Sequence, residues 1–322
     1  MSEPRLVYSD EYDISCWGIE RLHPADTRKA SRAFAKVKAA CVDAVRKLHV
    51  PVTQEVSHEA LLRVHSEQFL ASLRRSSVVA QALEVPALRL LPASVLDRRI
   101  LRPMRLATEG TLLAARNALT HGSAINFSGG YHHAHRDRAE GFCVFADIPV
   151  AIEQLRAEGR LSDDAVVAVV DLDAHRGNGF EAIYEADPRL QFFDIYNFQV
   201  YPGLLSHQEQ RFPHVMGLRA RMDGEGYHNV LRRCLPAFLA ELRPALAFYN
   251  AGSDILQGDP VGRLSVSFDD ARARDRYVIS ELERAGIAWV MVPSGGYTEQ
   301  SHGLLADTTV WALQHQPGDS ER

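Results

Sequence analysis

The chain has 322 residues, of which 46% are hydrophobic and 24% charged, which is ordinary for a soluble globular protein and enough to build a sizeable core. A net charge of -5 and a pI near 6.3 argue against a nucleic-acid partner, which normally requires a basic face. The four cysteines, Cys16, Cys41, Cys143 and Cys234, form no CxxC pair, which excludes a thiolate zinc finger and fits a reducing compartment. No apolar run approaches the roughly 18–20 residues a membrane span needs, and residues 1–5 lack the pattern of a signal peptide, so the expectation is a cytoplasmic protein.

In chain order, helical patterning covers residues 25–48 and 94–119. The second stretch carries Arg98, Arg99, Arg102 and Arg105 at a spacing that suits a solvated helix face. A short strand follows at 124–126, then a helix at 145–158 and strands at 165–170 and 190–196. Beyond these come a helix at 227–242, a strand at 245–250, a helix at 268–285, a strand at 288–292 and a helix at 304–313. The polar segment 316–322 is expected to fray. Residues 166–170, Val-Val-Ala-Val-Val, are apolar at successive positions, as in a strand buried on both faces. Alternating strands and helices imply right-handed crossovers and an α/β fold: one domain with a central parallel sheet flanked by helices on both faces.

The chemically distinctive residues follow the strands. They are Phe127-Ser128-Gly129-Gly130-Tyr131-His132-His133, Asp171-Leu172-Asp173-Ala174-His175, Ala251-Gly252-Ser253-Asp254 and Pro293-Ser294-Gly295-Gly296-Tyr297. In open parallel sheets ligands bind at that carboxyl rim. Asp171, Asp173 and His175 alternate, so an extended backbone would aim all three to one side. Carboxylates and an imidazole grouped after a buried strand need a compensating cation, and such donors suit zinc at roughly 2.0–2.2 Å with a third ligand from elsewhere. Asp254 is the leading candidate; the competing reading is that the DxDxH stretch merely caps a loop. His132 and His133, after two glycines, could exchange protons near neutral pH. Tyr297 could donate to a developing oxyanion or simply pack on its turn. His135, beside Arg136, Asp137 and Arg138, reads as part of a solvated loop with no role.

Together with Gly141-Phe142-Cys143 and Gly258-Asp259, these stretches resemble the zinc-dependent histone deacetylases from Val7-Tyr8 to about Ala306. The run from Asp171 to Gly179, with Asn178 where class I enzymes have Asp, resembles the class IV branch. So do Tyr12-Asp13-Ile14, Leu22-His23-Pro24, Ile195-Tyr196-Asn197, Tyr201-Pro202-Gly203 and Tyr249 to Leu256. The resemblance implies an arginase/deacetylase-like catalytic domain over residues 1–315, with Asp173, His175 and Asp254 as zinc ligands. It makes His133 the general base and later acid, with Asn178 behind it, and His132 its companion, oriented by Asp171. Tyr297 would polarise the amide carbonyl. Phe142 and Tyr201 would wall the acyl channel, with Gly130, Gly141 and Gly296 permitting a close fit. Potassium near Asp171 and Asp194, bound also by backbone carbonyls of Asp171, Asp173 and His175, is a further implication. So is a basic residue lining an internal channel, either Arg28 or Lys29. Ser128 and Ser294 stand where related sequences have glycine, which would narrow or reorient those turns, and Asn178 would leave His133 less basic than an Asp would.

The activity implied is zinc-dependent hydrolysis of acyl-lysine in a protein or peptide, as a deacetylase or a long-chain fatty deacylase. The alternatives are a small acyl-amine amidohydrolase of the acetylpolyamine kind, a binuclear manganese ureohydrolase, and a non-catalytic acyl-lysine-binding module. Gly177 lacks the Asp that a second metal would need, and every implied catalytic position holds a competent residue. The sequence sets no oligomeric state.

Overall fold

Eight short parallel strands form one sheet: β1 (Arg5–Tyr8), β2 (His49–Pro51), β3 (Ser123–Asn126), β4 (Val167–Asp171), β5 (Leu190–Asn197), β6 (Val215–Leu218), β7 (Leu246–Asn250) and β8 (Ala288–Val292). Their order is β2-β1-β3-β8-β7-β4-β5-β6. The computed structural model describes residues 3–203 and 212–315, so the fraying expected for 316–322 lies outside the described residues. Every residue of β3, β4 and β7 is buried, as the unbroken apolar runs require of strands covered on both faces. The five strands expected from patterning are all present.

Twelve α-helices surround the sheet among the described residues: α1 (Lys29–Ala40), α2 (Val42–Leu48), α3 (His58–Leu62), α4 (Glu67–Ser72), α5 (Ser76–Ala82), α6 (Ala93–Leu96), α7 (Arg102–His121), α8 (Asp147–Ala157), α9 (Asn178–Ile183), α10 (Gly224–Leu242), α11 (Phe268–Arg284) and α12 (Ser301–Gln314). The helix expected over 25–48 starts only at Lys29 and is interrupted at Cys41, whose φ of -135° leaves the helical region. The helix expected over 94–119 runs without a gap from Ala93 to His121, with a π-helical turn at Asp97–Leu101. Three of its four arginines have partners, since Arg102 meets Glu11 and Glu55, Arg105 meets Glu55 and Asp97, and the Arg99 guanidinium lies 5.2 Å from the Trp17 ring, while Arg98 is exposed. No described helix is long and apolar enough to cross a membrane.

The short helices α3 and α4 start at serine caps, Ser57 accepting from Ala60 N–H and Ser66 from Phe69 N–H. With α5 and α6 they enclose a second apolar cluster, including Leu83, Val85, Leu88, Ile100 and Met104, beside the main core over the sheet. The four central strands in succession, β3, β8, β7 and β4, are those whose carboxyl ends carry the distinctive residues. The fold therefore brings four distant segments to one rim.

Candidate active site

The chain leaving β3 turns sharply at Gly129 and Gly130, with φ of 97° and 85°, where a side chain would be strained. Asp147, in the first turn of α8, clamps this turn by accepting from Gly130 N–H at 2.9 Å and Tyr131 N–H at 2.8 Å. A Cβ at Gly130 would collide with Asn250 Oδ1 and lie 2.8 Å from Ser294 Cα. Gly130→Ala is accordingly expected to cost about 3 kcal/mol of stability, read as a lowered denaturation midpoint, because overpacking and positive-φ strain add.

The turn delivers two adjacent imidazoles, with ring centroids 4.0 Å apart, into different surroundings. His132 Nδ1–H donates to Asp171 Oδ2 at 2.8 Å. Burial opposes its charge, but the Asp171 and Asp173 carboxylates outweigh burial and raise it to about 9. His133 Nδ1–H donates instead to the Asn178 Oδ1 at 2.6 Å. Burial, then the neighbouring His132 and His175, push His133 well below the usual imidazole range. One histidine is thus held charged and the other neutral, with its Nε2 lone pair free.

Strand β4 ends at Asp171, and the chain then bends, so the same-side alternation expected through His175 does not persist. Asp171 faces His132 and also accepts from Asn250 Nδ2–H at 2.9 Å. Asp173, His175 and Asp254 converge instead, all buried, with one ligand atom from each lying within 4.8 Å of the others. His175 Nδ1 lies 3.0 Å from Asp173 Oδ1 and 2.9 Å from Asp254 Oδ2. The remaining oxygens are held by backbone: Asp173 Oδ2 accepts from Gly295 N–H and Asp254 Oδ1 from Ala174 N–H, each at 2.8 Å. Burial and the Asp173 carboxylate push Asp254 up to about 7, although the His175 imidazole opposes them, so the two carboxylates repel each other in the buried cluster. Two carboxylates and one imidazole aimed at a common point fit a divalent metal.

The turn after β8 supplies Tyr297, whose ring centroid is 6.3 Å from that of His175 and 6.1 Å from that of Phe142. Ser294, at φ 43°, does not merely crowd its turn: its hydroxyl donates to Gly130 O at 3.1 Å and accepts from Asn250 Nδ2–H at 3.0 Å, tying the ends of β3, β7 and β8 together. A Cβ at Gly296 would strike Ser253 Oγ, and one at Gly141 would lie 2.5 Å from the His133 ring, so both glycines permit close approach. Phe142 lines a cavity of about 180 Å³ that runs past Asp173 between the two glycine turns. Its lining is largely apolar and includes Ile14, Ile19, Leu83, Val85, Leu88 and Met104. Tyr201 is 45% exposed and stacks edge-on to His133 with centroids 5.0 Å apart, outside that chamber.

Lys29, not the exposed Arg28, is the basic residue behind the site: its Nζ donates to the carbonyls of Pro293, Ser294 and Gly295. Asp194 accepts from Gly177 N–H through Oδ2, while its Oδ1 is buried without a hydrogen-bond partner. Burial, then Asp171 and Glu181, push its carboxyl well above the usual range. The reading of His135 as solvated is incorrect. Its neighbours Arg136, Asp137 and Arg138 are exposed, but His135 itself is buried and its Nε2 contacts Glu140 at 2.7 Å. Sequence reasoning also passed over Asp147, which lies outside the glycine turns and the histidine pair, and Glu140, which opens the turn at Gly141 but carries no pattern that marks its carboxylate.

An eight-stranded parallel α/β sheet with an Asp-His-Asp group and paired histidines at its central carboxyl ends defines a metal-site hydrolase architecture. Residues 23–313 match the histone deacetylase domain, and the chain belongs to that family. It is 37% identical over 309 residues to Histone deacetylase 2 of Arabidopsis thaliana, covering 96% of this chain and 78% of that protein. It is 29% identical over 268 residues to the histone deacetylase-like amidohydrolase of Pseudomonas aeruginosa, covering 79% and 67%. The crystal structure of the HDA15 HD domain shares the fold, with a TM-score of 0.76 at 19% identity over 97% of this chain and 90% of that one.

Proposed function

We propose that this hydrolase cleaves the amide bond of acyl-lysine, with zinc held by Asp173, His175 and Asp254. The observation that carries the reading is the buried convergence of those three side chains beside His132, His133 and Tyr297. A bound zinc supplies Lewis-acid polarisation of the scissile carbonyl and the attacking water. His133, neutral with its proton on Nδ1, takes a proton from that water at Nε2 and returns one to the leaving amine. His132, held cationic by Asp171, donates toward the reacting centre, and the Tyr297 phenol donates to the oxyanion. Asn178 and Asp171 act through the histidines, and Gly130, Gly141, Phe142 and Gly296 shape the channel, with Tyr201 exposed beside His133. The partnerless Asp194 Oδ1 supports a potassium ion near Asp171 and Asp194. Four free cysteines fit the reducing environment of the cytoplasm.

The largely apolar lining of the cavity favours acyl groups longer than acetyl, since it offers a methylene chain an oily wall. The test is turnover of acyl-lysine peptides across chain length, with acetylpolyamines in parallel and chelator as control. Expected are chelator-sensitive hydrolysis and a rise in kcat/KM from acetyl to longer chains. Peptide turnover that ignores chelator excludes the zinc reading, while turnover confined to acetylpolyamines moves the substrate to the small acyl-amine class.

A further inference from the structure

We propose that Glu140 fixes the orientation of the Asn178 side-chain amide and, through it, which nitrogen of His133 carries the proton. This rests on the reading of His133 as general base. An Asn amide has an accepting and a donating end of nearly equal shape, so its partner on the far side decides which end faces the histidine. Asn178 Oδ1 lies 2.6 Å from His133 Nδ1, an arrangement that requires the proton on Nδ1 and leaves Nε2 as the base. A flipped amide would donate to Nδ1, drive the proton to Nε2 and remove the base. An Asp at position 178 would accept through either oxygen and need no such control; an Asn does.

Glu140 supplies it. Its Oε1 accepts from Asn178 Nδ2–H at 2.9 Å, and a carboxylate can only accept, so the flipped amide would set two oxygens face to face. Glu140 is itself fixed: Arg138 Nε–H donates to Oε2 at 3.0 Å, and buried His135, whose Nε2 also lies 3.4 Å from Asn178 Nδ2, contacts Oε1 at 2.7 Å. Burial opposes its charge, but these hydrogen bonds prevail and hold its carboxyl at about 2, so it stays an acceptor throughout the working pH range. The carboxylate that Asn178 lacks is thereby displaced outward by one hydrogen bond. Glu140 is a positioning residue, two bonds removed from the reacting atoms.

The test is a cycle of Glu140→Ala and Glu140→Gln, each in the native and the Asn178→Asp backgrounds, reading kcat and KM on an acyl-lysine peptide with zinc content as a check. In the native background Glu140→Ala is expected to lower kcat about tenfold with KM unchanged, since a base in the wrong tautomer forfeits part of general-base catalysis. Glu140→Gln keeps an oxygen for Asn178 and is expected to stay within about twofold. In the Asn178→Asp background Glu140→Ala is expected to lose nothing and to gain, because it removes a like charge at hydrogen-bond distance. If Glu140 merely braces its loop, alanine costs the same in both backgrounds, and that result overturns the proposal. Glu140→Ser, polar but too short to reach Asn178, replaces alanine in the same cycle if alanine unfolds the loop. His133→Ala is the control: retained turnover there defeats the general-base reading itself, whereas an inactive His133→Ala with equal Glu140 losses defeats only the role of Glu140.

Discussion

Zinc and turnover are expected to disappear together when Asp254 is replaced by alanine. Asp254 is one of only three side chains gathered at the candidate metal position among the described residues, and it comes from a different strand end than the other two. Asp173 and His175, two residues apart, cannot close a three-donor set without it. Loss of the Lewis acid removes several kcal/mol of transition-state stabilisation, so turnover is expected to fall on the order of a thousandfold or more. The fold is expected to survive, because deleting Asp254 relieves a buried repulsion with Asp173 and leaves His175 paired to Asp173 at 3.0 Å, which offsets the loss of the acceptor for Ala174 N–H. The native chain is expected to hold about one zinc and to melt higher when zinc is added, the linkage expected of a ligand that binds the folded state; the variant is expected to show neither effect. A variant that retained one zinc per chain with normal turnover would remove Asp254 from the site. Two metals per native chain would revive the binuclear reading that Gly177 argues against.

What could be read in the sequence follows from how each feature is encoded. The central strands were legible because burial on both faces demands contiguous apolar residues, as in the all-buried β4 and β7. β2 contains Pro51 and is only partly buried, and β6 contains Gly217 and is half exposed, so neither produces such a run. Helices α3, α4 and α5 have five to seven residues, too few for a 3.6-residue period to register. Asp173, His175, Asp254, the histidine pair and Tyr297 were legible because such groups are costly after buried strands unless they act together. Of their partners, the resemblance implied Asp171 and Asn178 and left Arg28 and Lys29 as alternatives, but the contacts themselves were not legible. Lys29 bonds to Gly295 across 266 positions, and Glu140 to Asn178 across 38, contacts that only the folded chain creates. His135 was misread because one inward residue in an otherwise exposed Arg-Asp-Arg loop leaves no periodic trace.

The second large effect concerns Tyr297→Phe, which separates oxyanion stabilisation from metal binding. The substitution keeps the ring that packs near Phe142 and His175, and it leaves the backbone N–H that donates to Asp259 Oδ2 at 2.9 Å. Stability and zinc content are therefore expected to match the native chain. What is lost is the phenolic hydroxyl, which the proposed mechanism uses as a donor to the oxyanion. Burial first, then the carboxylates of Asp254 and Asp173, hold that phenol well above its usual pKa of 10, so it remains a donor throughout the neutral range and its own ionisation does not shape the rate there. A donor that strengthens as charge develops on the oxygen contributes more to the transition state than to substrate binding. Removing it is expected to lower kcat by about a hundred- to a thousandfold, the magnitude typical for one oxyanion-hole donor, with KM changed little. A fall in KM-defined affinity with kcat intact would make Tyr297 a substrate-binding group instead, and a variant with near-native kcat and KM would reduce it to a packed ring on the turn after β8.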